Sequence, residues 1–229
     1  MEFFDSLISQ ALELTQGLSE IKYGYDPCDV WHDVGSNQVI LQRDTAFELS
    51  GTGFNLVTSA PVEDGISVVG NELGAISDSR RFTRITLIQI DEPDEQQKTY
   101  NLIRKIEYVK YHYFPDGYMI RTASRSHKEA VRVSKTAVKQ GISFRRVGNL
   151  LINKYKENPA VKGVRVIFIT SPEADHKTFE AMAEKSNGIT ETLNHVMNSV
   201  NFDCDTCNLK PICDEVEGMR ELHFKNKGM

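Results

Sequence analysis

The segment Val164-Arg165-Val166-Ile167-Phe168-Ile169 constrains the fold most, because it reads as a buried strand that returns after a long stretch of helical periodicity. Upstream, from about residue 38 to 90, short apolar runs alternate with Gly, Asp and Ser. Val39-Ile40-Leu41, Ile66-Ser67-Val68-Val69 and Ile85-Thr86-Leu87-Ile88 are the strand candidates there. A helix is expected over 2–18. Apolar spacing at Leu102, Ile106, Val109 and Tyr113 predicts another after the acidic start Glu92-Pro93-Asp94-Glu95. Tyr118-Met119-Ile120 should be a short strand after the turn Pro115-Asp116-Gly117. Helices are predicted near 127–140 and 144–157, and a long one after Ser171-Pro172-Glu173, in two pieces broken near Gly188. Gly51-Thr52-Gly53 and Gly70-Asn71-Glu72-Leu73-Gly74 lack a P-loop lysine and read as turns. Strands first, helices later and one returning strand give an α+β (mixed α/β) class, with a mixed sheet flanked by helices. The expected organisation is a lead-in over 1–36, an α/β domain over 37–200 and a cysteine-rich metal-binding tail over 201–229.

That tail holds the sharpest chemistry. Cys204, Cys207 and Cys213 stand at ligand spacing, and His223 follows. Two thiolates two residues apart can grip one ion or cluster from a single turn. The terminal segment is too small to bury much surface, so ligation would supply order. Pro211 restricts the loop, and Asp214-Glu215-Val216-Glu217 reads as the cap of a short helix running to about Leu222. Spacing alone leaves zinc, an iron–sulfur cluster and unligated thiols open. It also leaves open whether His223 is the fourth ligand or a structural residue. Cys28 stands alone and is expected as a buried free thiol.

Charge is distributed unevenly. Between Arg121 and Arg165 there are twelve Lys/Arg against Glu129 and Glu157, a local +10 in a chain of net −5, so the remainder is −15. On the predicted helix Lys128, Arg132, Lys135 and Lys139 share one face, with Arg121, Arg125, Arg145 and Arg146 in the flanking turns. Such a stripe suits the phosphates of a nucleotide or coenzyme A; it also suits a solvated face paired with the acidic remainder. Nucleic acid fits less well, since the chain is acidic overall and the stripe lacks interleaved aromatics. No apolar run reaches the ~18 residues of a membrane span, and no basic residue precedes the apolar start, so the expected location is cytoplasmic.

Several stretches, taken in order, carry a resemblance. Val131-Arg132-Val133-Ser134-Lys135-Thr136-Ala137-Val138-Lys139-Gln140-Gly141 has the form Arg-x-Ser-Lys-x-Ala-x-x-x-Gly. Gly148-Asn149-Leu150-Leu151 and Gly163-Val164-Arg165-Val166-Ile167-Phe168-Ile169-Thr170 follow it. Ala46-Phe47-Glu48-Leu49 and Asp64-Gly65-Ile66-Ser67-Val68-Val69-Gly70 precede it. Over residues 40 to 213 the chain thereby resembles the acetyl-CoA synthase (beta) subunit of the carbon monoxide dehydrogenase/acetyl-CoA synthase complex. The resemblance implies coenzyme A binding by the central domain; with the basic segment, the expectation is that coenzyme A or a related anion is bound through Arg121, Arg125, Arg132, Lys135, Arg145 and Arg146. It makes Cys204, Cys207 and Cys213 ligands of a four-iron (4Fe-4S) cluster, with His223 near the place of the fourth. It also implies partners among the other subunits of such a complex or of a corrinoid methyl-transfer system. The family's nickel-organising Cys-Gly-Cys element is absent from this sequence, and Ala130 stands where the family has tryptophan. The expectation is a shortened relative, accessory or partial in acetyl-CoA synthesis, an acyl transfer. The alternative is a non-catalytic interaction protein with structural zinc.

Overall fold

The computed structural model describes residues 3–91, 96–123, 128–197 and 207–215. Seven strands form one mixed sheet in the order β1-β3-β7-β4-β2-β6-β5. They are β1 Glu20–Gly24, β2 Thr45–Thr58, β3 Gly65–Val69, β4 Arg80–Ile90, β5 Tyr118–Ala123, β6 Lys128–Ser134 and β7 Val161–Ile169. Six α-helices accompany them among the described residues: α1 Asp5–Thr15, α2 Gln96–Val109, α3 Lys135–Lys139, α4 Phe144–Lys156, α5 His176–Met197 and α6 Lys210–Glu215. The α+β class with a mixed sheet is thus the observed one. β2 runs parallel to β4, and β3 to β7, while β4 and β7 are antiparallel.

Side chains of a strand alternate between faces, and the register separates two layers. On one face Phe82 of β4 and Phe168 of β7 stack with Phe144 of α4. Gly148 lets α4 settle there, since a β-carbon would come 2.6 Å from Ile66 Cγ1 and 3.2 Å from the Phe168 ring. Ser143 starts α4 by accepting from Arg146 N at 3.2 Å. The opposite face of the sheet carries α5, through Thr83 and His176, and α1, through Thr58 and Asp5. The central strands β4 and β7 are covered on both sides, so their burial is nearly continuous, polar Thr83, Arg84 and Thr86 included. Helix α2 touches both α4 and α5.

Several expectations are corrected. The 127–140 stretch is not one helix: β6 occupies Lys128–Ser134, and only Lys135–Lys139 is helical. β-branched Val131 and Val133 alternate with Ala130 and Arg132, a period of two that favours the strand. Ser134 then accepts from Ala137 N at 3.0 Å and caps α3. Gly51 and Gly53 lie inside β2 rather than in a turn. Gly51 permits a close approach to β4: a β-carbon would be 2.8 Å from Phe82 C, with the carbonyl oxygen nearer still. Val39-Ile40-Leu41 is an extended segment outside the sheet, with Val39 and Leu41 exposed. Helix α5 runs unbroken through Gly188, where Ile212 of α6 packs: both its Cγ1 and Cδ1 would lie 2.9 Å from an added β-carbon. Cys28 is exposed, in a turn where its N–H donates to Asp26 Oδ1.

Candidate functional site

Lys128 and Arg132 are four residues apart, and an even spacing keeps them on one face of a strand as it would on a helix. On β6 that face is the partly exposed one, with Ala130 between them, while Glu129, Val131 and Val133 are buried on the other. Cross-strand register aligns Arg132 with Glu48, Ala130 with Ser50 on β2 and with Arg121 on β5, and Ser50 with Arg81 on β4. The result is an open cleft of about 420 Å³. Its floor includes Ser50 and Gly51, and Arg80, Arg81, Lys128, Glu48 and the start of α5 stand around it.

The cations here are not equivalent. Arg132 is committed to Glu48 at 2.6 Å and to the Ile40 carbonyl at 2.9 Å. Arg80 pairs with Asp78 at 3.3 Å. Arg81 and Lys128 are exposed and have no ion-pair partner among the described residues. At the head of α5, His176 is buried; its Nε2 lies 3.1 Å from the Ser171 carbonyl and Nδ1 lies 3.0 Å from Thr83 Oγ1. A carbonyl can only accept, so Nε2 carries the proton and the Thr83 hydroxyl donates to Nδ1. Burial pushes the His176 pKa down, the Ser171 carbonyl partly restores it, and nearby Arg81 lowers it further. The positive end of α5 adds to the same field.

The remaining residues expected to hold coenzyme A scatter. Arg121 is exposed on edge strand β5. Lys135 is exposed at the start of α3 and bonds the Arg43 carbonyl at 2.9 Å. Arg145 and Arg146 begin α4 across the sheet, both directed at Asp29, at 3.0 and 2.8 Å. For Arg145 this is a charge contact only, since its Nε has no hydrogen bond of good geometry. Arg125 lies outside the described residues. Sequence reasoning missed Arg81 and the α5 start; the Arg80-Arg81 pair ahead of the clean β4 alternation is the signal that could have found them.

Beneath this region a buried ion pair crosses the other face. Arg84 Nη2 donates to Glu129 Oε2 at 2.7 Å and Nε to Oε1 at 3.0 Å, with both side chains nearly inaccessible. Arg84 Nη1 also donates to Thr86 Oγ1 at 2.6 Å, and Tyr155 of α4 donates to Asn55 Oδ1 at 2.8 Å. Burial works against the charge on Arg84, but the field and hydrogen bonds of Glu129 more than offset it and raise the pKa. Gly53 makes room for the carboxylate, whose Cδ would be 2.5 Å from an added β-carbon.

Cys207 and Cys213 lie on consecutive turns, where Lys210 N donates to the Cys207 carbonyl and Cys213 N to that of Leu209, each at 3.2 Å. Both are half-buried and neither forms a disulfide. Helix α6 begins at Lys210, earlier than the predicted cap at Asp214, because Pro211 is tolerated in a first turn. It docks on α5 through Ile212 and a Lys185–Glu215 pair at 2.9 Å. Among the described residues no three His, Cys, Asp or Glu side chains gather at metal-binding distance, while Cys204 and His223 lie outside them. Thiolates serve as ligands to zinc and to iron–sulfur clusters alike.

No helix among the described residues is long and apolar enough to cross a membrane. A family model described as the CO dehydrogenase/acetyl-CoA synthase complex beta subunit matches residues 35–174, which take in β2 to β7 and the strand side of the cleft but not its α5 residues His176 and Glu180. A comparison with curated proteins gave no match.

Proposed function

The chain belongs to the beta-subunit family of the CO dehydrogenase/acetyl-CoA synthase complex, and from that premise we propose that it binds the phosphates of coenzyme A, or a related anion, at the β4–β2–β6 cleft. One observation carries this reading: Arg81 and Lys128 face a common cleft without ion-pair partners among the described residues, beside two cations that are already neutralised. Arg offers a forked donor pair and Lys a mobile point charge, a combination suited to phosphate. Arg132, held by Glu48, and the exposed Arg121 and Lys135 contribute to the field around the site. Arg145 and Arg146, turned to Asp29 on the far side, do not take part.

The protein is further proposed to act within an assembly of subunits, as the family description implies, and to hold a 4Fe-4S cluster through Cys204, Cys207 and Cys213, with His223 as the fourth ligand. Such a cluster would supply electron transfer or complete a site with another subunit. Metal analysis and a visible spectrum of anaerobically purified protein test this: stoichiometric zinc without thiolate-to-iron absorption would replace the cluster by the structural-zinc alternative.

Isothermal titration with coenzyme A, and separately with inorganic phosphate, tests the cleft. Wild type should bind coenzyme A with an affinity that falls as salt rises. Arg81→Ala and Lys128→Ala should each weaken binding about tenfold, the equivalent of ~1.4 kcal/mol for one charge-assisted contact. Absence of binding by wild type, or binding by both variants as tight as that of wild type, sinks the proposal.

A further inference from the structure

Lys128 and Arg132 reach the cleft only because β6 is paired with β2 in one register, Thr52 opposite Lys128 and Glu48 opposite Arg132. Apolar alternation protects that register against some errors and not others. A slip by one residue would turn Val131 and Val133 outward and bury Lys128 and Arg132, which is prohibitive. A slip by two residues keeps every residue on its proper face, so alternation does not resist it. It would nevertheless move each cleft cation along β2 by about 7 Å, two strand rises.

A fixed point on the buried face removes this ambiguity. Glu129 has the same parity as Val131 and Val133 but is a carboxylate, 3% exposed, gripped through both oxygens by Arg84. Arg84 is itself immobilised, because its second terminal nitrogen donates to Thr86 Oγ1. The neighbouring Asn55 is held in turn by Tyr155 from α4. The carboxylate fills the space that Gly53 leaves beside Arg84; two positions along the same face of β2 lie Asn55 in one direction and Gly51 in the other, where the Phe82 backbone already fills the space a side chain would take. After a two-residue slip Glu129 would lie buried without its cation and Arg84 without its anion, both heavily penalised.

We infer that the Arg84–Glu129 pair is a register lock for β6. Alternation selects the face that Lys128 and Arg132 occupy; the ion pair selects how far along the cleft they stand. Glu129 is therefore a positioning residue for the anion site, and that functional consequence rests on the cleft reading above.

Cysteine cross-linking reads the register directly. Ser50→Cys with Ala130→Cys joins the native opposite pair, whereas Ser50→Cys with Lys128→Cys or with Arg132→Cys joins residues opposed only after a two-residue slip. Cross-linked peptides are quantified by mass spectrometry with and without Glu129→Gln, and coenzyme A affinity is measured for Glu129→Gln alone. The lock predicts that Glu129→Gln raises a slipped cross-link several-fold at the expense of the native one and weakens coenzyme A binding at least tenfold. Should Glu129→Gln fail to fold, Arg84→Met/Glu129→Met leaves no buried charge and decides alone. An unchanged cross-link pattern in a folded variant overturns the lock. Failure of wild type to bind coenzyme A overturns the cleft reading instead, and the cross-link pattern then still decides the lock.

Discussion

Gly53→Ala places one methyl group against the buried ion pair. The new β-carbon would stand 2.5 Å from Glu129 Cδ and 2.9 Å from Arg84 Nη2. Carbon–carbon contact is comfortable at about 3.5–4 Å, so the carboxyl must retreat by roughly 1 Å or more. The groove is closed around it by Arg84, and the two bonds of 2.7 and 3.0 Å cannot both survive such a shift. Overpacking alone costs about 1–3 kcal/mol. A buried ion losing its partner costs about 3–5 kcal/mol. Since the pair is displaced rather than deleted, the expected loss is roughly 4 kcal/mol. In a chain of this size that lowers Tm by about 8–16 °C. Denaturant and thermal unfolding measure it, with Gly24→Ala as control because its β-carbon would meet nothing within 4 Å. Arg84→Met/Glu129→Ala, which empties the groove of charge, should restore part of the loss in the Gly53→Ala background, a non-additivity diagnostic of contact. A Gly53→Ala Tm within ~3 °C of wild type would refute the reasoning.

Two other perturbations follow from the same structure. The His176 pKa is depressed in the folded state, so at acid pH the unfolded chain takes up the proton first. The contribution of His176 is complete above about pH 6.5, its ordinary value, and is lost as pH falls below it towards the folded pKa. Tm measured from pH 8 to 5 should decline more steeply in wild type than in His176→Gln, and parallel slopes would contradict this. Gly188→Ala should separate local from global stability. Alanine favours the interior of α5 by up to ~1 kcal/mol, while its methyl meets Ile212 at 2.9 Å and loosens α6. Alkylation of Cys213 should accelerate several-fold with Tm unchanged or raised; an unchanged alkylation rate would show that α6 accommodates the methyl.

The elements legible in the sequence were those whose apolar period is unambiguous. Thr83–Ile90 lies within β4, Val164–Ile169 within β7, and Val147, Leu150, Leu151 and Tyr155 are buried on α4. Lys128–Ser134 was misleading because its two cations repeat every four residues, which fits either one helical turn or four strand positions. Glycines in β2 looked like punctuation because the close approach of Phe82 and the carboxylate of Glu129 are long-range facts, invisible locally. In the site, charge sign was readable but not pairing. Nothing local distinguishes Arg132, neutralised by Glu48, or Arg146, neutralised by Asp29, from Arg81. Glu129 did carry a signal: a lone acid in a basic stretch, standing at the parity of Val131 and Val133.

Helix α5 acts as a ruler. Its first residue, His176, borders the β4–β2–β6 cleft, and twelve residues on, Gly188 seats the helix that carries Cys213. At about 1.5 Å per residue these two points lie roughly 18 Å apart along a single rod. The cleft and the helix that carries Cys213 are therefore kept at a set separation. Traffic between them requires a molecule long enough to lie along the rod, or a displacement of the rod as a whole.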